Sequence, residues 1–133
     1  MQYLLDTNIC IYLIKQKPEK FIARFQTLSI SDIGISSITV AELEYGVYKS
    51  QKQKKNKNAL QQFLLPLEII EFSQDAAVIY GYIRSDLESK GLVIGPMDML
   101  IAAHAMSLDV TLVTNNIREF SRIPNLLLEN WAE

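Results

Sequence analysis

The sequence predicts an α/β fold, a three-layer α/β/α sandwich around a parallel sheet of about five strands. Three observations predict it. Short runs rich in Val, Ile and Leu alternate with segments whose apolar residues recur at helical spacing. Nothing between the runs reads as a two-residue hairpin turn, so successive strands must cross over through helices and lie parallel, covered on both faces. No Pro/Gly/Ser linker, repeat or low-complexity stretch divides the 133 residues, so 1–133 is expected to form one domain, long enough for a substantial core.

Residues 2–5 read as a first strand and 8–16 as a helix that ends before Pro18. Phe21, Ile22, Phe25 and Leu28 fall at helical spacing and predict a second helix over 19–28. "IGISSIT" (33–39), rich in β-branched residues, reads as a second strand. "VAELEYGVYKS" returns to helical spacing, and 56–65 continues as another helix. "LEIIEF" (67–72) is a third strand, followed by a long helix from about 74 to 89 that stops at Gly91. Pro96 opens a helix through "PMDMLIAAHAMSL", proline being well suited to a first helical turn. "VTLVT" (110–114) and "LLLEN" (126–130) supply the fourth and fifth strands.

The composition, 49% apolar and 21% charged, is that of a folded chain rather than a disordered one. No apolar run reaches the roughly 18–20 residues that crossing a bilayer takes, and no secretory leader is expected. With one cysteine, Cys10, and one histidine, His104, neither an internal disulfide nor a thiolate–imidazole zinc site can form. A reducing cytoplasm is the expected setting. Any metal would be held by oxygens, which points to magnesium or manganese. Charge is uneven: residues 1–66 carry nine Lys/Arg against five Asp/Glu, and residues 67–133 carry four against ten. The run Lys49–Lys57, "KSQKQKKNK", is a solvated helix end on one reading and a landing strip for phosphates on another.

In open parallel sheets, ligands gather at the carboxyl ends of the strands. There the sequence puts Asp6 at the end of the first strand and Glu42 in the first turn of the helix after the second. Asp98 falls in the first turn of its helix, and Asn115-Asn116 follow the fourth strand. Each has an innocent explanation. Asp6 suits an N-cap, and Thr39-Val40-Ala41-Glu42 fits a capping box. Asp98 complements its helix dipole, and the asparagines suit a strand-ending turn. Together they are harder to dismiss. Two unit charges about 4 Å apart repel by about 4 kcal/mol at an effective dielectric of about 20, and a cap returns only about 1 kcal/mol. A divalent cation turns that repulsion into attraction.

"LLDTN", "TVAELEYG", "GPMDMLIAAHA" and "LVTNNIREFSRIPNL", four blocks in order over almost the full length, resemble the PIN-domain family. More narrowly, the chain is similar to the VapC-type ribonuclease toxins of bacterial toxin–antitoxin pairs. The resemblance implies a magnesium-dependent endoribonuclease, with manganese as a substitute. Its catalytic and metal-holding acids map onto Asp6, Glu42 and Asp98, and Asn116 stands where many members carry a fourth acid. A neutral amide supplies no ligand charge, so Glu119 is a candidate to compensate. Thr7 and Thr114 are candidates to hold water or a carboxylate by hydrogen bonds. The implied substrate is RNA, in some members initiator tRNA, cut by a water nucleophile to leave 5′-phosphate and 3′-hydroxyl ends. A VapB-type antitoxin, lying across the apolar surface that "ICIYLI" and "VAELEYGVY" offer, and a homodimer are the implied partners, with no membrane involved.

Two other functions fit part of the pattern. A phosphotransfer or phosphatase-like domain also places aspartates around magnesium, but a dehalogenase-like phosphatase wants an acid where this chain has Asn8. A catalytically inactive RNA-binding scaffold of the same fold would use the acids only as caps. Lys52, Lys54, Lys55 and Arg84 are candidates for RNA contact, with Arg118 and Arg122 beside them. His104, six residues after Asp98 and off its helical face, reads as structural. Tyr45, Tyr48, Tyr80 and Tyr82 read mostly as helix packing, with base stacking as the other role open to them.

Overall fold

A computed structural model describes residues 1–131, so the last two residues of the expected 1–133 domain lie outside the described residues. Five short strands, β1 (Tyr3–Leu5), β2 (Ile33–Ser36), β3 (Glu68–Ile70), β4 (Thr111–Val113) and β5 (Leu128–Glu129), form one sheet. Its order is β3-β2-β1-β4-β5, and every neighbouring pair is parallel. The helices are α1 (Thr7–Lys15), α2 (Glu19–Gln26), α3 (Ser37–Lys49), α4 (Gln53–Leu64), α5 (Gln74–Lys90), α6 (Pro96–Leu108) and α7 (Ile117–Phe120).

Alternation along the strands builds the three layers, because successive side chains point to opposite faces. Leu4 and Leu112 face one side, where they pack with Ile83, Leu87, Met99 and Ile101 from α5 and α6. Leu5, Ile35 and Val113 face the other, against Ile9, Leu13, Leu43 and Leu60 from α1, α3 and α4. The expected α/β/α sandwich and its parallel sheet are therefore present.

The strand order places the functional edge. From β1 the chain moves outward through β2 to β3 and then returns to the opposite flank of β1 as β4. Such a reversal opens a crevice at the carboxyl ends of the two strands beside it. Asp6 stands there, its N–H bonded to the Val113 carbonyl at 3.0 Å.

Helix α6 spans the expected residues, with Pro96 at its start, and α5 closes on Gly91 in the left-handed region (φ 67°). The strand expected over 33–39 ends early. Ser36 is extended (φ −67°, ψ 142°) and its hydroxyl accepts the Ile38 N–H at 3.1 Å, so α3 begins at Ser37. The strand preference of Ile38 and Thr39 yields to that cap and to the burial of Thr39, Leu43 and Val47 along one helical stripe. Consequently Thr39–Glu42 is not a capping box. Glu42 is the sixth residue of α3, in its second turn rather than its first. Helix α4 starts at Gln53 instead of 56. Helix α7 and a 3-10 turn at Ile30–Asp32 were not expected, because three or four residues carry too little periodicity to register.

Candidate active site

Asp6 has two roles at once. Its Oδ1 accepts the Ile9 N–H at 2.9 Å, which makes it the N-cap of α1, as its residue type suggests. The side chain is nevertheless only 4% exposed, and its pKa is raised from 3.8 to about 6. Burial is the main cause, and the charges of Asp98 and Glu42 add to it, while the Thr114 hydroxyl and the Ile9 N–H pull the other way. A cap alone does not explain acidic neighbours from two other helices.

Glu42 meets the start of α1, where the Thr7 hydroxyl donates to its Oε1. Thr7 is the first residue of α1, so one turn of chain supplies both the Asp6 carboxylate and the donor that holds Glu42. Asp98 is half-buried at the third position of α6, after Gly95, which offers no side-chain cap. Its pKa is also raised, by burial first and then by the charges of Glu42 and Glu119. Four carboxylates, from the end of β1, α3, α6 and α7, thus act on one another at the same edge of the sheet.

Glu119 is the residue that short-range reading underweighted. It lies three residues beyond Asn116, and the unforeseen helix α7 carries it to where Asp98 feels its charge. Asn116 itself precedes α7, with its N–H bonded to the Thr114 hydroxyl oxygen at 2.9 Å. Asn115 turns away to donate to the Tyr12 hydroxyl at 3.0 Å.

This donor set suits a hard divalent cation by its chemistry, being all oxygen and strongly negative. The nearest soft donor is Cys10, whose buried thiol is pushed well up, with Asp6 adding to the effect, and so stays protonated. Among the described residues, however, no three acids already converge as a ligand set. The burial and mutual charge of Asp6 and Asp98 are what couple these acids at one edge of the sheet.

Other residues singled out by type are used elsewhere. His104 is fully buried, with Nδ1 at 2.7 Å from the Ser36 hydroxyl and its ring edge-on to Phe72. Its pKa is lowered by burial, which the backbone carbonyl of Glu71 partly offsets. Nε2 makes no well-formed hydrogen bond. Arg84 is engaged along its own helix by the Tyr80 hydroxyl and Glu88, and Arg122 by the Val93 carbonyl. Arg118 is exposed on α7 next to Glu119. Three of the four tyrosines correct the expectation of packing: Tyr45, Tyr48 and Tyr82 are each about two-thirds exposed or more, at 66%, 65% and 71%, whereas Tyr80 packs, partly buried, against the core as expected. In α3 the buried stripe runs through Leu43 and Val47, which turns Tyr45 and Tyr48 outward, and Lys49 lies over the Tyr45 ring.

The PIN domain family matches residues 3–126. The chain is 53% identical over 132 residues to "Ribonuclease VapC2" of Rickettsia felis, covering 98% of each chain. It is 44% identical over 132 residues to "tRNA(fMet)-specific endonuclease VapC" of Salmonella typhimurium, covering 99% of each. Among solved structures, VapBC2 from Rickettsia felis bound to a DNA fragment from their promoter superposes with a TM-score of 0.92 at 52% identity, over 98% of this chain and 99% of that one.

Proposed function

The chain belongs to the PIN-domain family, among its VapC ribonucleases, and from that membership we propose that Asp6, Glu42 and Asp98 form a magnesium-dependent endoribonuclease site. The observation that supports these residues is the mutual charge coupling of acids from separate elements around the buried Asp6. Magnesium, with manganese as a substitute, would be held by Asp6, Glu42 and Asp98, with Glu119 supplying the negative charge that Asn116 lacks. When bound, the ion supplies an activated water and neutralises charge at the scissile phosphate.

The chain's own residues do the positioning. The Ile9 N–H fixes Oδ1 of Asp6. Thr7 fixes one oxygen of Glu42 in the same way. Thr114 holds the Asp6 carboxylate on one side and the Asn116 N–H on the other. Such second contacts set the orientation of a ligand that would otherwise rotate.

RNA is the substrate on this reading, and a tRNA is the first to try, given the activity named for the Salmonella relative. The partner is a VapB-type antitoxin, since the Rickettsia neighbour is a VapBC assembly. A groove of about 310 Å³ between α1, α3 and α4, lined by Ile11, Ile14, Gly46, Val47, Ala59 and Leu60, offers apolar surface for it. A homodimer and a cytoplasmic setting belong to the same proposal. Among the described residues, no helix is long and apolar enough to cross a membrane.

The test is direct. Purified chain, free of any partner, is incubated with tRNA in magnesium or in EDTA. Cleavage in magnesium alone, with 5′-phosphate ends, is expected. Intact RNA at saturating magnesium and manganese rules the activity out.

The basic run carries its own expectation. Lys57 is paired with Glu44 at 2.6 Å, whereas Lys52, Lys54 and Lys55 are exposed at the start of α4. Their charge attracts phosphates but cannot activate water. Changing all three to glutamine should raise KM and flatten its salt dependence while leaving kcat near its original value. A large fall in kcat with KM unchanged would place these residues in the chemistry instead.

A further inference from the structure

Helices α3 and α6 each carry an acid of the candidate site, and a buried hydrogen bond links the N-cap of α3 to α6. Ser36 is the last residue of β2 and the N-cap of α3, where its hydroxyl oxygen accepts the Ile38 N–H at 3.1 Å. The same hydroxyl lies 2.7 Å from Nδ1 of His104 on α6, and both side chains are fully buried. A hydroxyl has a single proton. Besides accepting from Ile38, it keeps its proton and a second lone pair, so the hydroxyl and Nδ1 are hydrogen-bonded with the direction set by the imidazole tautomer. The neighbours tighten the joint. The Phe72 N–H donates to the Ser37 hydroxyl at 3.0 Å, and the Phe72 ring meets the His104 ring edge-on, with centroids 5.5 Å apart.

Glu42 lies six residues after Ser36 along α3, and Asp98 lies six residues before His104 along α6. At about 1.5 Å per residue, each acid sits about 9 Å along its helix from the joint. A helix carries displacement along its axis nearly undiminished, so slippage at the joint reaches both carboxylates. We propose that His104 is a positioning residue that, through Ser36, locks the Glu42 helix to the Asp98 helix. This rests on the ribonuclease reading above and adds to it a residue that touches neither metal nor RNA.

Two substitutions in the full chain separate positioning from packing. His104→Asn keeps a side-chain amide that can accept from or donate to the Ser36 hydroxyl where Nδ1 stands, but loses the ring. His104→Phe keeps the ring against Phe72 but loses the hydrogen bond to Ser36. Packing alone ranks phenylalanine above asparagine, and positioning ranks them the other way for function.

At a temperature where both are folded by circular dichroism, His104→Phe is expected to lower kcat on tRNA about tenfold with KM little changed, because small misplacements of catalytic groups cost that much or more. It should also bind Mn²⁺ more weakly in calorimetry. His104→Asn should retain both properties despite a lower melting temperature. Activity and Mn²⁺ affinity that simply follow melting temperature, or that neither substitution alters, overturn the proposal. If His104→Phe does not fold, Ser36→Ala against Ser36→Thr repeats the comparison from the other side of the bond: alanine should lose activity and Mn²⁺ affinity, threonine should keep them, and equal behaviour of the two overturns the proposal. The unsubstituted chain, run in parallel, keeps the two ideas apart. RNA left intact by it defeats the ribonuclease reading, while Mn²⁺ affinity still ranks the variants; RNA that it and both variants cut equally well defeats only the positioning.

Discussion

Asp98→Asn should give a folded protein whose RNA cleavage is lower by orders of magnitude. Asparagine matches the shape of aspartate and keeps an oxygen near the start of α6. The lost charge removes a helix-dipole contribution of about 0.3–1 kcal/mol, and relief from Glu42 and Glu119 works in the opposite direction. Net stability should therefore change by no more than about 1 kcal/mol. Function has no such compensation, because a neutral amide binds a hard dication far less well than a carboxylate. Glu42→Gln and Asp6→Asn should behave alike, since each retains an acceptor for the hydrogen bond it makes now, from Thr7 or from the Ile9 N–H. Cleavage rates at saturating magnesium, set beside thermal melts, decide the matter. Near-normal cleavage by Asp98→Asn would return the acids to the role of helix caps.

With no divalent cation present, Asp6→Asn should be more stable than the unsubstituted chain at neutral pH, by up to about 3 kcal/mol at about 1.4 kcal/mol per pH unit. The carboxyl titrates near its ordinary 3.8 when unfolded and at about 6 in the folded protein. Between those values the folded state keeps a proton that the unfolded chain has released, so stability falls as pH rises. The cost is absent below 3.8 and complete above about 6. Asp98 is shifted in the same direction and adds to the trend. Asparagine removes the charge and keeps the cap, so its stability should be flatter across the window. Magnesium at neutral pH should offset the cost, stabilising the original chain much more than the variant. Urea unfolding at a series of pH values tests this. Stability of the cation-free chain that climbs from pH 4 to pH 6 would contradict the burial of a charged Asp6.

Local chemistry was enough for several features. Pro96 and an apolar run gave α6 its full extent, and a strand followed by Asp-Thr-Asn placed Asp6 at the opening of α1. The β2–α3 boundary was not legible. Ile38 and Thr39 favour a strand on their own, and the helix starts at Ser37 because Ser36 turns its hydroxyl to the backbone while His104, 68 residues on, holds the same oxygen. The position of Glu42 depended on that boundary, and so moved by a turn.

Alternating apolar runs, the absence of hairpin turns, and the placing of Asp6 and Asp98 at element ends belong to the sequence by itself, because periodicity and caps act within a few residues. Which acids meet was decided only by the tertiary structure. The reversal of strand order at β1 brings Thr114 beside Asp6, and α7 carries Glu119 toward Asp98. Burial from all sides then raises the Asp6 carboxyl to about 6. The physical reason is that desolvation and charge repulsion depend on what surrounds a group in space, and these neighbours come from strands and helices far apart along the chain.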